Sequence, residues 1–220
     1  LPAKASGEFV ACMEDVLRVY QQAYDARYPQ VCLDETSKQL LTHMREPSPM
    51  KPGKPKREDY EYERRGTCSI FLACEPLSGK RFVQASPQRT RQEWARFVHE
   101  LIEKQYLEAE KVILVMDNLN THTTGSLYET FAPEVAERLC RRLEIHYTPK
   151  HGSWLNMAEI ELGILGRQCL DRRLASLDDV QAEMYAWQSE RNQAKVTINW
   201  RFTTADTLIK LKRLYPSIEQ

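Results

Sequence analysis

The chain has 220 residues, 42% hydrophobic and 28% charged, with 31 basic side chains against 31 acidic ones. That is enough apolar material for one large domain with a buried core. The zero net charge argues against a uniformly basic nucleic-acid binder, so any basic surface has to be local. Six cysteines (Cys12, Cys32, Cys68, Cys74, Cys140, Cys169) are dispersed with no CxxC pair. They read as buried thiols, not as a disulfide framework or a zinc site, and they lead us to expect a cytoplasmic protein. No apolar run approaches membrane length, and no signal-peptide pattern is present. The chain begins at Leu1, not Met, so further sequence N-terminal to it is expected.

In chain order, Phe9, Val10, Met13, Val16, Leu17 and Tyr20 recur at helical spacing, which predicts an amphipathic helix over 7–24. We take residues 1–28 as a helical lead-in packed on the main domain. Val31, Cys32 and Leu33 predict a short strand ending at the Asp34-Glu35 pair. Residues 40–65 hold Pro47, Pro49, Pro52 and Pro55, a density that predicts a long loop or open hairpin arm. Its Pro/Lys-rich part, 41–62, is taken as an insertion and carries Lys51, Lys54, Lys56 and Arg57. Residues 66–75 and 80–85 predict two strands joined by a turn. Thr90, with Glu93 three residues on, predicts a capped helix to about Tyr106.

Val112 to Met116 form a continuous apolar run, as expected of a strand buried on both faces. It stops at Asp117, with Asn118, Asn120 and His122 behind it. Further helices are predicted over 127–143, 154–170 (with Ser153 as cap) and 176–193 (capped by Ser176), with a strand over 143–147. The last segment, 198–220, is a basic tail with Lys210, Lys212 and Arg213, and Thr203 opens its helix. The order describes a mixed sheet covered by helices, an α/β class. No GxGxxG follows a strand and no Walker sequence occurs, which excludes a dinucleotide-binding fold and a nucleoside triphosphatase.

Two strands that each end in an aspartate place Asp34 and Asp117 where α/β sheets hold ligands. The 154–170 helix offers Glu159 and Glu161. Residues two apart do not share a helix face, so one of the two is expected at the strand ends, and periodicity does not choose between them. Three hard oxygen ligands without a cysteine cluster suit Mg²⁺ or Mn²⁺. Such a site can hold two ions about 3.5–4 Å apart for phosphoryl transfer.

VCLDETSKQL (31–40), VMDNLNTH (115–122), HYTPKHGSWLNMAEIELGIL (146–165) and INWRFTTADTLIKLKRLYPS (198–217) stand in this order. Together they resemble the DDE endonuclease domain of bacterial insertion-sequence transposases related to the mariner superfamily, over about residues 9–217. The resemblance implies a ribonuclease H-like fold with a mixed five-stranded sheet flanked by helices, spanning 29–197. It also implies Asp34, Asp117 and Glu159 as the catalytic and metal-binding residues. Glu159 is preferred over Glu161 because the family pattern places the glutamate three residues after Asn in Ser-Trp-Leu-Asn-x-x-Glu. Asn118, His122 and Asn156 fall on recurring motif positions that order the metal shell or place a phosphate. His122 also has a capping or core reading. His151 and Trp154 lie in the loop entering the helix, where they contact DNA or, for Trp154, anchor the packing.

The implied reaction is hydrolysis of a phosphodiester at the transposon end, followed by attack of the freed 3′-hydroxyl on target DNA, with two Mg²⁺ or Mn²⁺ ions. The implied partners are double-stranded DNA, as transposon end and target, and a second subunit in a homodimer, with no membrane. The setting is the bacterial cytoplasm, at the nucleoid. Lys51, Lys54, Lys56, Arg57, Lys210, Lys212 and Arg213 would hold the DNA backbone without reading sequence. The spacing from Asp117 to Glu159 is longer than in compact mariner relatives and resembles bacterial members. Helix-turn-helix modules that read the inverted repeats are expected outside this chain. Two alternatives compete: a ribonuclease H-like structure-specific nuclease, and a domesticated, non-catalytic DNA-binding or assembly protein.

Overall fold

The computed structural model describes residues 5–44, 50–54, 60–119 and 122–217. Its strands are β1 (Gln30–His43), β2 (Tyr62–Glu75), β3 (Lys80–Ser86), β4 (Val112–Met116) and β5 (Leu143–Tyr147). They form one sheet in the order β3-β2-β1-β4-β5. β1, β2 and β3 are joined antiparallel, whereas β4 runs parallel to both β1 and β5. This is the mixed five-stranded sheet expected.

Side chains alternate across β1, as strand geometry requires. Cys32 joins Ile70 and Leu72 in one core, beneath α1 (Gly7–Tyr20), α5 (Met157–Leu165) and α6 (Leu177–Gln193). Val31 and Leu33 join Phe71 and Leu114 in a second core on the opposite face. There they meet α2 (Arg91–Glu100), α3 (Thr124–Tyr128) and α4 (Pro133–Arg141). All five residues of β4 are buried, because helices cover both faces. Each such aliphatic side chain contributes about 1.5–3 kcal/mol on burial.

Caps set the helix starts. Ser176 and Asp179 make a full capping box on α6, and Thr203 and Asp206 make one on α7 (Thr204–Lys210). On α2 only half of the box forms: Thr90 accepts from the Glu93 N–H, while the Glu93 carboxylate serves Ser86 and Arg96. The helix expected over 127–143 is two helices, because Pro133 opens a new one at its first turn. The 154–170 helix also begins later. Ser153–Leu155 form a 3₁₀ turn, and Asn156, not Ser153, caps α5.

The largest departure concerns the hairpin. β1 and β2 each run for 14 residues, so Asp34 lies inside a strand and not at its end. The ladder continues from Cys32↔Cys74 to His43↔Tyr62, with an irregularity between Gln39 and Leu41. The loop's prolines begin only at Pro47, so none falls within the paired residues of β1. Within the connecting loop, Lys51 and Lys54 bridge across a Pro52-Gly53 turn. At the other end of β2, Gly79 takes φ +75° and lies so close to residue 195 that an added Cβ would stand 2.6 Å from the Lys195 carbonyl carbon. Glycine is required there for both reasons.

Candidate active site

Asp117 follows the last residue of β4. Asp34, the fifth residue of β1, lies on the strand next to β4. Glu159 stands in the first turn of α5, exposed to solvent. Asn156 explains the three-residue spacing. Its side chain accepts from the Ala158 N–H at 3.1 Å to cap α5, and donates from Nδ2 to the Leu33 carbonyl at 2.8 Å. The start of the helix is thereby tied to the residue next to Asp34. Both polar ends of Asn156 are engaged and the residue is 1% exposed. Tyr20 adds a second tie through its hydroxyl to the Leu155 carbonyl at 2.6 Å.

Glu161 is in a different environment. Its carboxylate accepts from Arg81 Nε at 3.0 Å, Arg81 Nη2 at 2.7 Å and Arg191 Nη2 at 3.0 Å, and it is fully buried. Periodicity left Glu159 and Glu161 open, and their partners separate them. Among the described residues, Asp34, Asp117 and Glu159 form no ion pair with lysine or arginine.

The electrostatics at Asp34 follow first from burial and then from neighbouring charge. Burial raises its pKa, and the negative charges of Glu35, Asp117 and Glu159 push it further, to about 7, against the Glu35 N–H that donates to Oδ1 at 2.8 Å. A carboxyl held this far above its usual range favours a cation over an uncompensated charge. Carboxylate oxygens are the donor type that suits Mg²⁺ or Mn²⁺.

His122 lies on the other side of Asp117. Nδ1 stands 2.6 Å from Asp117 Oδ1, and Nε2 stands 3.2 Å from Glu35 Oε2. The Glu35 contact is close enough for charge pairing but out of line for a hydrogen bond. Burial would lower the pKa of His122; the two carboxylates outweigh it and raise it to about 9. Glu35, Asp117 and His122 could in principle hold an ion among themselves. Because the imidazole already bridges the two carboxylates, the geometry there is that of an internal ion pair.

The remaining sequence-predicted residues scatter. Asn118 and His151 line a cleft of about 640 Å³ beside Asp117, closed on its far side by Phe9 and Cys12 of α1. His151 has φ 65°. The turn containing it is tight, since a Cβ on Gly152 would lie 2.6 Å from Pro149. Trp154 is half-buried and packs edge-on against Phe202 at 5.7 Å, which favours its anchoring reading over DNA contact. Lys51 and Lys54 are exposed, as are Lys212 and Arg213. Lys210 pairs with Asp206 at 3.1 Å and lies over the Phe202 ring. Lys56 and Arg57 lie outside the described residues. Two residues beside the site are not among those expected from the sequence: Glu35, and Lys150 on the cleft rim. The Asp-Glu adjacency was the available signal for the former; the latter had none.

An α/β sheet of this topology, with carboxylates on β1, after β4 and on a facing helix, is a ribonuclease H-like fold. The family follows from the sequence itself. Residues 29–181 match the DDE superfamily endonucleases, and the chain belongs to that family.

Solved structures of similar fold include the Mos1 mariner paired end complex with Mn, at TM-score 0.56 and 16% identity, covering 89% of this chain and 60% of that one. The mariner Mos1 paired end complex with Mg gives 0.58 at 15% identity, over 99% and 66% of the two chains. The catalytic domain of Mos1 mariner transposase gives 0.53 at 14%, over 89% and 96%. This chain therefore spans about 60% of the Mos1 chain in the Mn complex. At these identities the likeness establishes the fold. No curated protein matches the chain. Among the described residues, no helix is long and apolar enough to cross a membrane.

Proposed function

We propose that this domain is the catalytic part of a transposase, cutting DNA phosphodiesters at transposon ends and joining the 3′-hydroxyl to target DNA. Asp34, Asp117 and Glu159 would hold two divalent ions. One observation carries the reading: Asp34 and the end of β4 at Asp117 lie on neighbouring strands beside the helix that carries Glu159, no lysine or arginine among the described residues pairs with any of the three, and Glu161 is engaged by Arg81 and Arg191. Bound Mg²⁺ or Mn²⁺ supplies Lewis-acid stabilisation of the reacting oxygens and an activated water.

The chain's own residues do the rest. Asn156 orients the helix that presents Glu159. Asn118 and His151 line the cleft next to Asp117, where they would touch the DNA end, and Lys150 would meet its phosphates. Lys51, Lys54, Lys212 and Arg213 would hold backbone further out. Residues 1–28 and 198–220 are assigned as flanks of a catalytic domain at 29–197. The functional assembly is assigned as a homodimer on double-stranded DNA.

The test is cleavage of a labelled duplex in Mn²⁺ by the unsubstituted chain and by Asp34→Asn, Asp117→Asn and Glu159→Gln. Each substitution should abolish cleavage while leaving the far-ultraviolet circular dichroism spectrum of the folded chain. Retained cleavage in any of the three would contradict the assignment of that residue.

A further inference from the structure

Asp34 and Glu35 are adjacent on β1 and therefore face opposite sides of the sheet. Asp34 shares its side with Cys32, and Glu35 shares the α2 side with Leu33. Glu35 is thus a carboxylate in an apolar layer, with a side chain 1% exposed. Burial of such a group is costly unless it is paired. Its pairing is specific: Oε1 meets Arg89 Nη1 at 3.3 Å, and Oε2 meets His122 Nε2 at 3.2 Å. His122 is fully buried and stacks on Trp94, with ring centroids 5.6 Å apart and planes at 23°. Its backbone carbonyl accepts from the Tyr147 hydroxyl at 2.9 Å. The ring is held on its face and at its backbone, with Nε2 against the Glu35 charge, and on its remaining side Nδ1 meets Asp117 Oδ1 at 2.6 Å.

We propose that Glu35 and His122 form a positioning pair for Asp117. His122 fixes the Asp117 carboxylate through Oδ1 and leaves Oδ2 to the cleft, while Glu35 holds the imidazole from the far face of the sheet. The inference rests on reading Asp117 as a metal ligand. Outer partners of this kind orient a ligand, and their loss weakens metal binding by ~10–100-fold. A filler role against Trp94 would need only a flat ring.

The experiment measures Mn²⁺ affinity, by the electron paramagnetic resonance of the free ion, together with the melting temperature. The proteins are the full chain and its His122→Phe, His122→Asn, Glu35→Gln and Asp117→Asn variants. Phenylalanine keeps a ring on Trp94 but cannot bond Asp117, so its affinity should fall ~10–100-fold. Asparagine places an amide N–H where Nδ1 stood. It should bind Mn²⁺ nearly as well as the unsubstituted chain, although it melts lower for want of a ring. Glu35→Gln should weaken binding less than His122→Phe.

Affinity and stability would then rank phenylalanine and asparagine in opposite orders, which packing alone does not produce. Unchanged affinity in His122→Phe, or an equal loss in His122→Asn, overturns the positioning pair. Unchanged affinity in Asp117→Asn overturns the metal-ligand reading beneath it, and the pair with it.

Discussion

Glu159 and Glu161 lie two residues apart on one helix and should respond oppositely to the same change. In Glu161→Gln, the three charge-assisted hydrogen bonds from Arg81 and Arg191 face a neutral amide. One carboxylate oxygen becomes an NH₂ turned toward guanidinium N–H groups. Arg81, with a side chain 1% exposed, keeps its charge without a full counter-charge. Breaking a buried pair from one side costs about 3–5 kcal/mol. For a chain of this size that lowers the melting temperature by roughly 6–20 °C. Glu159→Gln removes an exposed charge that pairs with no lysine or arginine among the described residues, so it should stay within about 0.5 kcal/mol of the unsubstituted chain. Urea titration followed by circular dichroism, without added metal, measures both. If Glu159→Gln proves the more destabilising, the separation of a structural from a functional glutamate is wrong.

Without metal, stability should decline as pH rises. The Asp34 carboxyl, raised from 3.8 to about 7, holds its proton more tightly folded than unfolded between those values, so the folded state loses up to ~4 kcal/mol across that window. His122, raised from 6.5 to about 9, contributes its stabilisation in full below 6.5 and loses it as pH passes 9. Urea unfolding in EDTA from about pH 5 to 9 should show this slope, and Asp34→Asn should flatten its lower half; a flat profile in the unsubstituted chain would refute it. Asn156→Ala removes a helix cap and leaves the buried Leu33 carbonyl unpaired, costing ~2–4 kcal/mol and reducing cleavage, as denaturation and duplex assays would show. Gly79→Ala meets both a left-handed backbone and the Lys195 main chain, and should destabilise by about 1–3 kcal/mol in the same titration.

Much of the fold was legible because its signals are local. The apolar run 112–116 could only be a strand or a buried helix, and its length and flanking residues decided for a strand. The caps at Thr90, Ser176 and Thr203 were likewise readable, since a cap is a contact within four residues. The hairpin was not. Leu40 to His43 and Tyr62 to Arg65 carry no strong strand pattern, and they pair because each supplies the other's ladder, a contact across the loop. Pro133 is a local signal for the break between α3 and α4.

The site divides the same way. Asp34 and Asp117 stood out as carboxylates breaking apolar runs. Periodicity could not choose between Glu159 and Glu161, because the choice depends on Arg81 and Arg191, respectively 80 and 30 residues away in sequence. Glu35 was visible only as a neighbour of Asp34. Its role depends on His122, which reaches it through the fold and not through the sequence.

The central claim is that Asp34, Asp117 and Glu159 together hold a divalent cation. Anomalous diffraction from crystals soaked in Mn²⁺ tests it most directly. The account predicts manganese within about 2.0–2.6 Å of oxygens from all three carboxylates, with none at Glu161. Manganese bound elsewhere, with these three side chains uncoordinated, would contradict it.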